Sequence, residues 1–286
     1  MNFNKDKPDF ICLGAPRAGT TWLFEWLNQH PDVFIPEKEI HFYIKTQGRD
    51  FYEEKGISWY QKLFENAKAS QAAGDIAAGY LRSENARDRI KLTAPNAKLI
   101  VMIRNPVERI WSDYQYRLGN RSFDGSFDEF LKNKKGIRAL KDGCYAEQIK
   151  LWMSVFKKER FHFVVLDDVE LDRQYEISKI CRFIGVGDFV PVDSARRVNE
   201  AKRVRSRWLA VIYHKAAQFA AKYDLNFLRN LFRKLGLKYF YDIVNKAQAR
   251  KAEMTNAQRD FLNNYYRNDI EELEILLGRD LSRWCS

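Results

Sequence analysis

A short apolar run, Asp9 to Leu13, opens into the loop Gly14-Ala15-Pro16-Arg17-Ala18-Gly19-Thr20-Thr21. A segment follows that places Trp22, Leu23, Trp26 and Leu27 on one helical face and stops before Pro31. Strand, glycine loop and helix, in that order, form the opening unit of nucleotide-binding α/β folds. The rest of the chain continues the alternation. Lys98 to Ile103 is an unbroken, largely branched apolar run of the kind buried in parallel sheets, and Asn105-Pro106 then opens a helix carrying Val107, Ile110, Trp111 and Tyr114. An amphipathic helix over Tyr145–Phe156, a strand over Phe161–Leu166 and a helix over Tyr175–Ile184 come next, with a weaker strand signal within Ala73–Tyr80.

These spacings predict a P-loop-like three-layer α/β fold, a central parallel sheet flanked by helices. From Arg207 onward the pattern is helical, with Trp208, Ile212, Phe219 and Tyr223, then Phe227, Leu231, Leu235 and Phe240, at helical spacing. The expected organisation is a single domain over 1–286, a nucleotide-binding core over 1–205 carrying a helical C-terminal elaboration over 206–286. The formal charge of +11 is unevenly placed: the stretch Arg196 to Lys251 holds fifteen Lys or Arg against three acids (Glu200, Asp224, Asp242). Such a block favours an anionic partner. Packed against aromatic residues, it fits helices that lie on the domain or touch a membrane surface peripherally. A nucleic-acid-binding module is disfavoured, because charge without a reading motif gives only nonspecific affinity. The polar start of the chain, the absence of a long apolar stretch and four scattered cysteines predict a cytoplasmic protein, at most peripheral at the inner membrane, with reduced thiols.

The chemistry is concentrated in the first loop. Gly14 and Gly19 have phosphate-loop spacing, but Thr20 stands where an NTP-hydrolysing loop carries Lys, and Arg17 supplies positive charge instead. Glycine spacing alone equally permits a tight turn. The missing Lys, together with the lack of a clear Mg²⁺-binding acid after a strand, argues against a kinase. No metal-ligand spacing is present.

Three segments resemble those of sulfotransferases that use 3′-phosphoadenosine 5′-phosphosulfate (PAPS), in particular the glycan, heparan sulfate-type enzymes and their bacterial relatives. Pro16 to Leu23 is similar to the family's 5′-phosphosulfate loop, Arg104 to Tyr114 to its 3′-phosphate segment, and Lys38-Glu39-Ile40-His41-Phe42-Tyr43 to its acidic, His-containing segment. The resemblance implies donor contacts from Arg17, Ala18, Gly19, Thr20, Thr21 and Trp22, with Arg104 and Ser112 on the 3′-phosphate. It implies Glu39 as general base, with His41 as its rival or its orienting partner, and Arg17 on the leaving phosphate. Asn199 to Arg205 resembles the late loop over the nucleotide, from which Lys202, Arg203 or Arg205 reaches the donor. PAPS would be the co-substrate, without a metal, and the acceptor a glycan, a lipid-linked sugar or a small molecule. Where heparan-type enzymes carry an acid and then Lys, this chain has Asp75 and then Ile76, which points to a less acidic acceptor.

Overall fold

The computed structural model describes residues 5–46, 48–190, 203–204, 246–247 and 253–285. Its centre is a five-stranded parallel sheet built from β1 (Phe10–Gly14), β2 (Val33–Phe34), β5 (Ala72–Ile76), β6 (Lys98–Ile103) and β7 (Phe161–Val165), in the order β2-β5-β1-β6-β7. Two short strands, β3 (Lys45–Thr46) and β4 (Arg49–Asp50), form a separate antiparallel pair. The helices are α1 (Thr20–Leu27), α2 (Phe51–Lys62), α3 (Glu84–Thr93), α4 (Pro106–Gly119), α5 (Phe127–Lys132), α6 (Lys134–Lys141), α7 (Tyr145–Met153), α8 (Leu166–Leu171), α9 (Arg173–Ile184) and α10 (Asn256–Leu277).

The strongest sequence signals are realised closely. β6 runs over Lys98–Ile103, as expected, and all its residues after Lys98 are buried. Asn105 caps α4, its Oδ1 accepting from the amides of Val107 at 2.9 Å and Glu108 at 3.4 Å, with Pro106 at the first helical position. Elsewhere the bounds move. The strand expected from Asp9 begins at Phe10, and the Asp9 carboxylate accepts from the Ala73 amide at 2.7 Å. The strand expected to reach Leu166 ends at Val165, because Leu166 opens α8. The helix over Tyr145–Phe156 stops at Met153, and the one expected from Tyr175 starts at Arg173, where the Asp172 side chain caps it through the Tyr175 amide.

The weak strand signal is the second central strand, β5, buried along its length and paired with β1 at Phe10↔Gly74, Ile11↔Asp75 and Cys12↔Ile76. Its Gly74 is required by packing: a Cβ there would stand 2.1 Å from the Phe10 ring. β1 is bracketed by β5 and β6, so the loops after β5, β1 and β6 leave the same carboxyl edge of the sheet side by side. In open α/β sheets ligands bind at that edge.

The chain divides into two compact units. The first comprises Met1–Ile110, Arg138–Val198 and Arg259–Ser286, the second Trp111–Ile137 and Asn199–Gln258. In the first, α10 contributes buried Leu262, Tyr266, Ile270 and Leu273, and Asp269 accepts from the Ala146 and Glu147 amides at the start of α7. In the second, Trp111, Tyr114, Phe127 and Phe130 pack together, and Ser126 with Glu129 forms a capping box at α5. A two-residue strand pair, Arg203–Val204 with Lys246–Ala247, also belongs to it. The aromatic series from Trp208 to Phe240 lies outside the described residues, as do Lys202 and Arg205. Among the described residues no helix is long and apolar enough to cross a membrane.

Candidate active site

The loop after β1 is tied to its neighbours by backbone hydrogen bonds. The amide of Ala15 donates to Met102 O of β6 at 2.7 Å, Ala77 to Cys12 O at 3.2 Å and Leu81 to Leu13 O at 2.7 Å. Gly14 has φ 127°, and a Cβ there would lie 2.5 Å from Ala78 O, so only glycine lets the β1 and β5 loops approach this closely. Gly19, at φ 95°, is the N-cap of α1. The amides at the start of α1 therefore follow directly from the loop, an arrangement suited to an anion. Ala18 and Thr20 are buried, Thr21 and Arg17 half-buried, and Trp22 is buried at 7% exposure with no partner for its indole N–H among the described residues.

The segment Lys38–Tyr43 runs along the carboxyl end of β5. Lys38 forms a bridge with Ile76, and the Glu39 amide donates to Ile76 O at 2.9 Å. The Glu39 carboxylate is held on several sides: Oε2 accepts from the Ala78 amide at 3.2 Å and lies 3.2 Å from His41 Nε2, while Oε1 lies 3.7 Å from Lys38 Nζ. Lys38 Nζ in turn donates to Thr21 Oγ1 at 2.6 Å. One cation thus joins the phosphate-type loop to the carboxylate that the sequence marks as a base.

Backbone strain singles out the same residues. Among the described residues four non-glycines have positive φ, and three are Arg17 (66°), Glu39 (61°) and His41 (55°); the fourth is Arg121. Each such residue costs on the order of 1–3 kcal/mol, which concentrates at sites whose geometry is over-determined. Burial pushes the His41 pKa below its ordinary value, opposed by Glu39 and reinforced by Arg82 and Lys38. His41 is thereby biased towards its neutral form, with Nε2 3.2 Å from Glu39 Oε2.

Beneath this surface Asp75 is fully buried, with Oδ2 accepting from Tyr60 at 2.8 Å and Tyr80 at 2.9 Å, and Oδ1 without a partner among the described residues. Burial pushes its pKa up to about 6, against the lowering effect of the two phenol bonds, and the Glu39 charge raises it further. Because the folded-state pKa lies above the unfolded one, the stability it contributes is present below the ordinary carboxylate range and is lost as pH rises through about 6. Asp75→Asn keeps an acceptor for both tyrosines and cannot ionise. Between about pH 4 and pH 7, wild type is expected to lose about 2 kcal/mol relative to this variant. Urea denaturation across that range measures the difference, and parallel curves would show that Asp75 does not titrate as described.

Of the other predicted positions, Arg104 follows β6 directly and is half-buried beside the Asn105 cap. Ser112 is half-buried on α4, in the second unit. Arg203 lies in a two-residue strand of that unit. Two contributions escaped the sequence reading: that of Lys38, whose signal was its place directly before Glu39, and that of Tyr60, which joins Tyr80 on the carboxylate of Asp75, a residue the sequence had marked only as an acid.

Comparison with known proteins agrees with this arrangement. The family described as "Sulfotransferase domain" matches residues 7–274. Human heparan sulfate glucosamine 3-O-sulfotransferase 6 is 30% identical over 186 residues, covering 63% of this chain and 52% of that protein. Mouse heparan sulfate glucosamine 3-O-sulfotransferase 3B1 is 29% identical over 190 residues, covering 64% and 47%. The chain therefore spans about half the length of these relatives. The crystal structure of a sulfotransferase from Alicyclobacillus acidocaldarius superposes with a TM-score of 0.70 at 25% identity, covering 98% of this chain and 99% of that one. The parallel sheet, the loop at its carboxyl edge and a match running through nearly the whole chain lead to one assignment: this chain belongs to the sulfotransferase domain family.

Proposed function

We propose that the chain transfers a sulfuryl group from PAPS to a hydroxyl, or an amine, of a carbohydrate or glycolipid acceptor. The observation that carries this reading is the Thr21–Lys38–Glu39 connection, which sets a carboxylate beside a phosphate-type loop through a shared cation. In the reaction Glu39 takes the acceptor proton as the acceptor oxygen forms its bond to sulfur. The bond from sulfur to the bridging oxygen breaks, and adenosine 3′,5′-bisphosphate (PAP) leaves with the electron pair. Arg17 and the amides of Ala18 and Gly19 stabilise charge on the departing 5′-phosphate, assisted by the Thr20 and Thr21 hydroxyls. Arg104 engages the 3′-phosphate. His41, neutral and with Nε2 3.2 Å from Glu39 Oε2, orients the base.

The acceptor class follows from the relatives and from one difference. The matched relatives are named for a glucosamine-containing glycan. Position 76, where heparan-type enzymes carry Lys, is here a wholly buried isoleucine that offers no cation to a polyanion. This supports a neutral or weakly acidic sugar. The test is PAP release from PAPS in the presence of neutral oligosaccharides, glycolipids, amino sugars and heparan sulfate, with mass analysis of the products. Release dependent on neutral sugars supports the reading. Transfer to heparan sulfate alone would overturn the acceptor class.

A further inference from the structure

The last residues of the first unit form a strap whose contacts lead to both arms of the donor site. Helix α10 ends at Leu277, and Gly278, at φ 64°, turns the chain back while the Arg279 amide closes on Glu274 O at 3.1 Å. The strap then engages the first turn of α8. Arg279 forms a two-pronged pair with Asp168, its Nη2 2.6 Å from Oδ1. Arg283 lies 3.6 Å from Asp167 and 3.5 Å from Asp168, and the Trp284 indole N–H donates to Asp167 Oδ2 at 2.7 Å. Trp284 itself is buried, 1% exposed.

Two further contacts give the strap its significance. Leu166, which opens α8, lies against the phosphate-type loop: a Cβ on Gly19 would stand 2.8 Å from Leu166 Cδ1. The carbonyl of Trp284 accepts from Asn105 Nδ2 at 3.5 Å, while Asn105 Oδ1 caps α4. Asn105 directly follows Arg104. A single tryptophan thus connects, through its ring nitrogen, to the element packed on the loop and, through its main chain, to the residue beside Arg104.

We infer that Trp284 is a positioning residue for the donor, holding the α8 start against the Gly19 loop and the Arg104–Asn105 corner in fixed relation. The inference rests on the donor reading proposed above. A donor that carries phosphates at two ends is bound well only if both receiving arms are preset, since ordering them on binding subtracts from affinity.

The test is calorimetric titration of PAP and of AMP into wild type, Trp284→Phe and Asp167→Ala. Phe retains the ring packing and removes the N–H. Ala at position 167 removes its acceptor at a side chain that is 30% exposed, so the second variant carries the test should the first fail to fold. Each variant is expected to bind PAP about 3- to 10-fold more weakly, the range for one hydrogen bond, and the double variant no more weakly than the weaker single. The preference for PAP over AMP should fall in parallel, a readout that general destabilisation, which lowers affinity for both nucleotides alike, would leave unmoved. Wild-type binding of PAP with folded variants that match it in affinity and preference would overturn the inference alone. Failure of wild type to bind PAP would remove the donor reading and the inference with it.

Discussion

Glu39→Gln is expected to lower sulfuryl transfer by about 10²- to 10⁴-fold, the contribution of a positioned general base, while PAP binds as in wild type. Gln keeps the length of the side chain and an oxygen that accepts from the Ala78 amide, now 3.2 Å from Oε2, so the local fold should persist. What it loses is the capacity to take a proton. The geometry also predicts how His41 enters. Its Nε2 lies 3.2 Å from the same oxygen, and burial keeps it neutral. If His41 were itself the base, Glu39→Gln would leave most of the rate intact and His41→Asn would abolish it. If His41 only orients Glu39, the loss in His41→Asn is the smaller of the two. Single-turnover rates with PAPS and a responsive acceptor separate these outcomes.

The second large effect belongs to Arg17. Arg17→Ala is expected to lower the transfer rate by about 10²- to 10³-fold, as for loss of a principal donor to developing charge. The loss should fall mainly on the chemical step, because charge builds on the leaving 5′-phosphate as its bond to sulfur breaks. Arg17 is the full positive charge within the loop, at φ 66°, and the loop's remaining donors are amides and hydroxyls. Arg17→Lys should recover part of the rate by restoring charge without the planar donor fork. Single-turnover measurement of both variants checks this, and a rate in Arg17→Ala within a few-fold of wild type would move the leaving-group role elsewhere, with Lys38 the first alternative.

The sequence announced the fold where local chemistry and packing agree. The run Leu99–Ile103 is apolar throughout and is buried along its length in the strand that opens at Lys98, and Asn105-Pro106 writes a helix start into two residues. Strand β5 was faint for a physical reason. Ala72-Ala73-Gly74-Asp75-Ile76 has one β-branched residue, a glycine demanded by the Phe10 ring and a buried carboxylate whose Oδ2 accepts from Tyr60 and Tyr80, outside the strand. None of those compensations is visible within a short window. The site divides in the same way. Arg17, Glu39, His41 and Arg104 stand in contiguous motifs and could be named directly. The Lys38–Thr21 bond spans seventeen positions and the Trp284–Asn105 bond 179, so their partners emerge only when the sheet brings the loops together. Within the basic segment from Arg196 to Lys251, Lys202, Arg203 and Arg205 were named from the resemblance of Asn199–Arg205 to a late loop, and nearly all of the segment lies outside the described residues.

The measurement that bears most directly on the central claim is calorimetric titration of PAP into wild type and Arg104→Ala, with AMP as the control ligand. PAP-specific binding means that the site reads the 3′-phosphate, the feature that separates this donor from other adenine nucleotides. Wild type should bind PAP about 10- to 100-fold more tightly than AMP, the range for charge-assisted hydrogen bonds to one phosphate, and Arg104→Ala should erase most of that preference. Equal affinity for PAP and AMP, or no binding of either by folded protein, would contradict the account.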